Sequence, residues 1–426
     1  MNIYKPNKLF YIFFIFTFLL SSISASAQTI DELRGKIDNT NVNIKKLEEE
    51  IKSYQKQIDS IGKQADSLKN ALASLDLTKK KLEADLSITE NRINATNLEI
   101  KELSLQIDDK SVRINDSKRV ISQSLSAISQ LDSNSIFESL LGAQSLGELW
   151  NETDDLNTLQ NSVKNRIYEL NTIRSSLEDN KVKTESKKAE LLSLENDLVN
   201  QKKIVANNTS EKNSLLKSTK NTEANYKKIL ATKEAQKEAF EREVLEYESA
   251  LRIAIDPSLI PHTGSGVLAW PLSNIRITQY FGNTPFATAN PQIYSGKGHT
   301  GVDFASSVGT PVKASLGGIV SGVANTDLIR GCYSYGKWIM VEHSNGLSTL
   351  YAHLSLQTVK KGDVVLTGQI IGYSGNTGYT TGPHLHYGVY ATQGVRITTF
   401  DSSKNCKGAT VPLADLKAYL NPLSYL

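Results

Sequence analysis

The sequence predicts a multi-domain chain, with a long N-terminal α-helical coiled-coil hairpin followed by a C-terminal all-β domain. Three observations carry this reading. Apolar residues recur every seventh position from Ile30 almost to residue 250. Glycine crowds into the last third of the chain, and most of the tyrosines lie after Ser258. Between these regions lies "IDPSLIPHTGSG", residues 255–266, where Pro257 and Pro261 stop a helix and Gly/Ser pairs loosen the backbone. At 426 residues the chain exceeds one ordinary domain.

The first segment, residues 1–27, reads as a signal peptide. Lys5 and Lys8 precede an apolar run from Leu9 to Leu20, and Ala25-Ser26-Ala27 supplies a small-residue cleavage pattern. The run is shorter than the roughly 20 residues of a spanning helix. An exported protein is expected, in the periplasm or the extracellular envelope. No cysteine near the cleavage point offers a lipid attachment site. The net charge of +3, with lysine and glutamate well mixed, gives no basis for nucleic-acid binding.

Residues 28–254 carry the helical hairpin. Ile30, Ile37, Ile44, Ile51 and Ile58 share one heptad position, and the phase continues through Leu86, Ile93, Ile100, Ile107 and Ile114. Leu33, Leu47, Ile61, Leu68, Leu75 and Leu82 fill the partner position. About 100 residues at this period give an arm on the order of 150 Å. A second phase runs through Leu156, Val163, Leu170, Leu177, Leu191 and Leu198, then Tyr226, Phe240 and Tyr247, lapsing at Thr184, Lys212 and Thr219. Two arms of similar length suit an antiparallel hairpin. Pairing between chains is the alternative. Between the arms, residues 134–156 break the phase and gather Ile136, Phe137, Leu140, Leu141 and Trp150. This apolar tip suits either a docking knob or a self-packed cap.

Residues 267–426 show short β-branched runs punctuated by glycine, the pattern of an all-β domain. Cys332 and Cys406, the two cysteines of the chain, are expected to bridge in an oxidising compartment. The chemistry sits in this region. "HLHYGVY" reads as a strand, which places His384 and His386 on one face and Leu385 behind them. In "GHTGVDF", a turn into a strand would let His299 and Asp303 converge. With one histidine of the 384/386 pair they would give three nitrogen/oxygen ligands and an open position, the arrangement of catalytic zinc. The other histidine of the pair and His353 in "LYAHLS" remain for proton transfer. His343, near a strand end, and His262, in the linker, are read as non-catalytic.

"GHTGVDF", "STLYAHLS" and "TGPHLHYGV", in this order, resemble the motifs of the lysostaphin/LytM-type zinc metallopeptidases, the M23 class of cell-wall endopeptidases. The resemblance extends from Trp270 to Leu426. It implies Zn2+ as cofactor, His299, Asp303 and His386 as metal ligands, and His353 and His384 as catalytic histidines. It implies a zinc endopeptidase that cuts peptide crosslinks of bacterial peptidoglycan. Where family members often carry an acidic residue after HxH, this chain has Tyr387-Gly388. The whole architecture resembles exported coiled-coil proteins with a LytM-type domain, the murein hydrolase activators and FtsEX-coupled division hydrolases. That likeness implies a membrane partner, an FtsEX-type ABC complex, at the coiled-coil tip. The alternative function is a non-enzymatic activator of a separate peptidoglycan amidase. Such activators lack some ligands, whereas all five positions are filled here.

Overall fold

A computed structural model of the chain describes residues 30–62, 67–132, 146–250, 256–285, 288, 298–401, 403 and 406–426. The expected signal peptide lies outside the described residues, and so does most of the apolar tip. Four long helices come first among the described residues: α1 (Ile30–Gly62), α2 (Leu68–Asp132), α3 (Leu146–Thr219) and α4 (Glu223–Ala250). None of them is long and apolar enough to cross a membrane. The chain divides into two compact units.

The first unit holds residues 1–43 and 91–194. Here α2 and α3 run antiparallel within one chain. Glu99 pairs with Lys187 at 2.7 Å, Asn180 donates to Gln106 at 2.9 Å, Lys110 donates to Ser176 Oγ at 2.7 Å, and Arg113 lies 3.7 Å from Glu169. One partner number rises as the other falls, which is the signature of a hairpin. The seam positions Leu33, Ile114 and Val163 are buried. The lapse at Thr184 is buried too, because its hydroxyl bonds back to Asn180 O at 2.8 Å and needs no further partner.

The second unit, residues 44–90 and 195–426, contains the β-domain. Its main sheet is antiparallel, in the order β1 (Ile277–Gln279), β2 (Val302–Ala305), β9 (His384–Ala391), β6 (Leu347–Gln357), β5 (Lys337–His343), β4 (Gly318–Asn325) and β7 (Val364–Val365). Three short strands join it: β3 (Pro311–Lys313), β8 (Ile370–Ser374) and β12 (Tyr419–Leu420). A separate hairpin pairs β10 (Val395–Thr399) with β11 (Thr410–Ala414). One face of the sheet packs Val302, Phe304, Leu385, Tyr387 and Val389. Trp338, Met340, Leu350 and Tyr390 form a second buried cluster. Trp338 donates to Thr410 O at 3.1 Å and ties the sheet to β11.

The heptad count through Tyr226 and Phe240 predicts one continuous second arm, but the helix stops at Thr219. Lys220 and Asn221 take left-handed backbone (φ 49° and 56°), and α4 begins afresh at Glu223. Phe240 then packs on the β-domain, against Phe400.

Candidate metal centre

Strand geometry assembles the site. β9 lies between β2 and β6, with Asp303 opposite His386 across one pairing and Ala352 opposite His386 across the other. Alternation sends Leu385 and Tyr387 into the core and His384 and His386 to the opposite face. His299 precedes β2 in an isolated bridge with Gly282. The close approach of this turn to β9 requires glycine at 301. A Cβ there would stand 2.5 Å from Tyr387 O and 2.8 Å from the His386 ring.

The imidazoles are fixed mostly by main-chain carbonyls. His299 Nδ1 lies 3.0 Å from Tyr280 O, His353 Nδ1 2.8 Å from Thr377 O, and His384 Nδ1 2.8 Å from Gly382 O. A carbonyl can only accept, so each Nδ1 carries a proton and each Nε2 presents a lone pair. His353 takes this position at a backbone cost. Its φ is +60°, unusual for a side-chain-bearing residue, at a register shift of β6.

Three donor atoms converge. Asp303 Oδ1 lies 2.9 Å from His386 Nδ1 and 3.2 Å from His299 Nε2, and these two nitrogens are 3.1 Å apart. A tetrahedral ion about 2.0–2.2 Å from each donor would separate neighbouring donors by about 3.3–3.6 Å. The triangle needs to open by only a few tenths of an ångström. His386 Nε2 is buried without a hydrogen-bond partner, and Nδ1 is the ring nitrogen that faces His299 and Asp303. The donor set of two nitrogens and one carboxylate oxygen therefore fits a zinc-sized divalent cation.

His384 Nε2 approaches Asp303 Oδ2 to 3.7 Å, and the His353 ring lies 4.7 Å from that of His384. Burial opposes the charge of Asp303, but the surrounding His384, His299 and His386 outweigh it and hold the carboxyl well below its ordinary range. Burial, reinforced by His384 and His386, pushes His353 well below the usual histidine value. Burial also lowers His386, against the pull of Asp303.

All five residues singled out in the sequence thus come together. His343 stands apart at the end of β5, bound to Gly317 O and Thr349 Oγ1. Sequence reasoning gave no individual role to Tyr335, whose ring is 5.9 Å from His386 and whose carbonyl accepts from His353 N. It also missed Thr377 and the α4 side chains that line the cleft. No short motif marks these positions. Residues 283–297, which precede His299, lie mostly outside the described residues. Cys332 and Cys406 are bonded, with Cα atoms 4.8 Å apart.

Known proteins are similar to the chain over the region that holds these residues. Residues 297–398 match Peptidase family M23. The chain is 40% identical over 117 residues to the DD-carboxypeptidase/endopeptidase Mpg of Neisseria gonorrhoeae, covering 28% of this chain and 25% of that one. It is 47% identical over 89 residues to the peptidoglycan DD-endopeptidase ShyA of Vibrio cholerae (21% of this chain, 19% of that one). Over 92 residues it is 49% identical to lysostaphin of Staphylococcus staphylolyticus (21% and 18%). The matched stretch thus spans a quarter or less of the length of these relatives. The C-terminal β-domain carries a Peptidase family M23 domain, matched at residues 297–398 and containing the His299–Asp303–His386 group.

Proposed function

We propose that the chain is a zinc-dependent endopeptidase that cleaves peptide crosslinks of bacterial peptidoglycan. The observation that carries this reading is the triangle of His299, Asp303 and His386 donors, with the lone pairs of His353 and His384 beside it. The activities of the peptidoglycan endopeptidases that the domain resembles support it. His299 Nε2, Asp303 Oδ1 and His386 Nδ1 would hold the ion. Zinc, when bound, polarises a scissile carbonyl and acidifies a water molecule.

The chain's own residues supply the rest. His384 and His353 both offer Nε2 as a proton acceptor, because Gly382 O and Thr377 O occupy their Nδ1 protons. Burial keeps His353 neutral at ordinary pH, ready to take a proton and return it to a departing amine. Asp303 stays ionised and offsets positive charge in the cluster. A complete set of five residues favours an enzyme over a non-enzymatic amidase activator.

The wider setting is part of the same proposal. The pattern of residues 1–27 supports export, and the helical hairpin with its apolar tip at 134–156 supports docking to an FtsEX-type membrane complex in cell division. The decisive experiment incubates the zinc-loaded chain with purified peptidoglycan and resolves the soluble products by mass spectrometry. New free amines at crosslinks support the reading. Intact crosslinks, with stimulation only of an added amidase, would establish the activator instead.

A further inference from the structure

The carbonyl that holds the His353 ring belongs to a peptide unit that is gripped at its other end as well. Thr377 O accepts from His353 Nδ1 at 2.8 Å. The N–H of the same peptide, Gly378 N, donates to the Asp327 carboxylate, 3.1 Å from Oδ1 and 3.0 Å from Oδ2. No cis peptide occurs among the described residues. A trans peptide sends its C=O and N–H in opposite directions. Carboxylate, N–H, C=O and imidazole N–H therefore form one continuous line of hydrogen bonds from Asp327 to His353.

Each member of the line is fixed by its neighbours. Asp327 sits in a 3-10 turn, Thr326–Leu328, where Asn325 Oδ1 accepts from Asp327 N at 3.0 Å. Thr326 is fully buried and bonds Gly336 twice, donating from N to Gly336 O at 2.9 Å and accepting at Oγ1 from Gly336 N at 2.9 Å. The Thr377 hydroxyl accepts from Lys337 N at 3.0 Å and donates to Leu354 O, beside His353, at 2.8 Å. Tyr379 N donates to Ser334 O at 3.0 Å. Gly378, at φ 75°, has no room for a side chain, since a Cβ would stand 2.2 Å from Ser334 O. The segments 326–336 and 377–379 thus meet backbone to backbone, and Asp327 supplies a carboxylate where they meet.

A hydrogen bond to an ionised acceptor is stronger than one between neutral groups, and bonds in a chain polarise one another. A carboxylate drawing on Gly378 N–H raises the electron density on Thr377 O and tightens its hold on the His353 proton. The proton stays on Nδ1, and Nε2 keeps its lone pair. His353 has reason to need this hold, because its left-handed backbone, at φ +60°, persists only where the surroundings over-determine it. His384 has no such backing. Its Nδ1 partner is Gly382 O, and the next residue, Pro383, carries no N–H for a carboxylate to draw on.

We infer that Asp327 is a positioning residue for His353, acting through the Thr377–Gly378 peptide as a carboxylate elsewhere acts directly on an imidazole. This rests on the endopeptidase reading for what His353 does with its lone pair, but not for the relay itself.

The full zinc-loaded chain is compared with Asp327→Ala and Asp327→Asn. Asparagine keeps an acceptor of the same shape and removes the charge. One readout is the His353 Nδ1–H proton resonance by NMR, with that of His343, whose Nδ1 lies 3.1 Å from Gly317 O, as internal reference. The others are zinc content and steady-state hydrolysis of crosslinked muropeptides. Asp327→Ala should move the His353 resonance upfield, leave His343 in place, and lower kcat by about 10–100-fold with KM and zinc content unchanged. Asp327→Asn should recover part of both effects. The expected resonance shift with no hydrolysis by any form, wild type included, would uphold the relay and sink the endopeptidase reading. An unmoved His353 resonance and an unchanged kcat in both variants would overturn the relay and leave the endopeptidase standing. A fall in kcat that comes with lost zinc, or with the His343 resonance displaced as well, would also overturn it, by reducing Asp327 to a residue of the fold.

Discussion

Asp303 is the one charged member of a group otherwise made of imidazoles, and its carboxylate is the point on which three histidines bear. Asp303→Ala removes both a ligand and the charge that offsets the cation. We expect the purified variant to retain less than about a tenth of an equivalent of zinc by elemental analysis. His384 has a different task. Its Nε2 is 3.7 Å from Asp303 Oδ2, outside the tight triangle. His384→Ala should therefore keep its zinc and lose hydrolysis by roughly 10²–10⁴-fold. If the alanine variant loses zinc while His386→Ala keeps it, the two roles are exchanged. Gly301 tests the packing beneath. A methyl group there meets the Tyr387 carbonyl and the His386 ring, both held by the sheet. Gly301→Ala should weaken zinc retention by displacing His386 while every ligand residue is kept, as competition with a chelator would read. Of these residues, the sequence revealed those in motifs. HxH is legible because a strand repeats every two residues. Tyr335 and Thr377 were not, because they act through backbone carbonyls, which any residue possesses.

The elements were legible to different degrees for the same kind of reason. Heptads report which positions are apolar, and the buried Leu33, Ile114 and Val163 follow them. They do not report what covers those positions. Phe240 is in phase with the second arm, yet the structure gives it to Phe400 and the β10–β11 hairpin. "STKNTEANY" holds no glycine or proline to stop a helix, and the turn rests on two left-handed residues, Lys220 and Asn221, that are not glycine. The disulfide belongs at this scale too. It closes a loop with a sequence separation of 74 and pins the hairpin that holds Phe240. In the chain-entropy account a loop of that size stabilises by roughly 4 kcal/mol, with 2–5 typical for loss of a native bridge. Replacing Cys332 and Cys406 together by serine should lower the denaturant midpoint by a corresponding amount. A midpoint unchanged from wild type would show that the β10–β11 hairpin is held by packing alone.

For the molecule as a whole, the buried histidines make stability depend on pH in one direction. His343, His353 and His386 all have folded-state values below the ordinary one, with burial as the first cause in each. Unfolding exposes them to water, where they bind protons below about pH 6.5. The unfolded chain then holds more protons than the folded one, so stability falls as pH drops through that value and continues to fall towards the lowered folded values. Asp303 acts in a more acidic window, since its contribution is lost only as pH falls below the ordinary carboxylate value of about 4. We expect the chelator-stripped chain to show a lower urea midpoint at pH 5.5 than at pH 7.5. Zinc should raise the midpoint at pH 7.5 more than at pH 5.5, because its histidine ligands must be unprotonated. His343 separates the fold from the site. It lies on the sheet away from the cluster and bonds Gly317 O and Thr349 Oγ1. In His343→Gln the stripped chain should depend less steeply on pH, while the zinc-induced rise at pH 7.5 stays as in wild type. An unchanged slope would assign the acid sensitivity to the cleft histidines, and a lost zinc response would tie His343 to the metal centre.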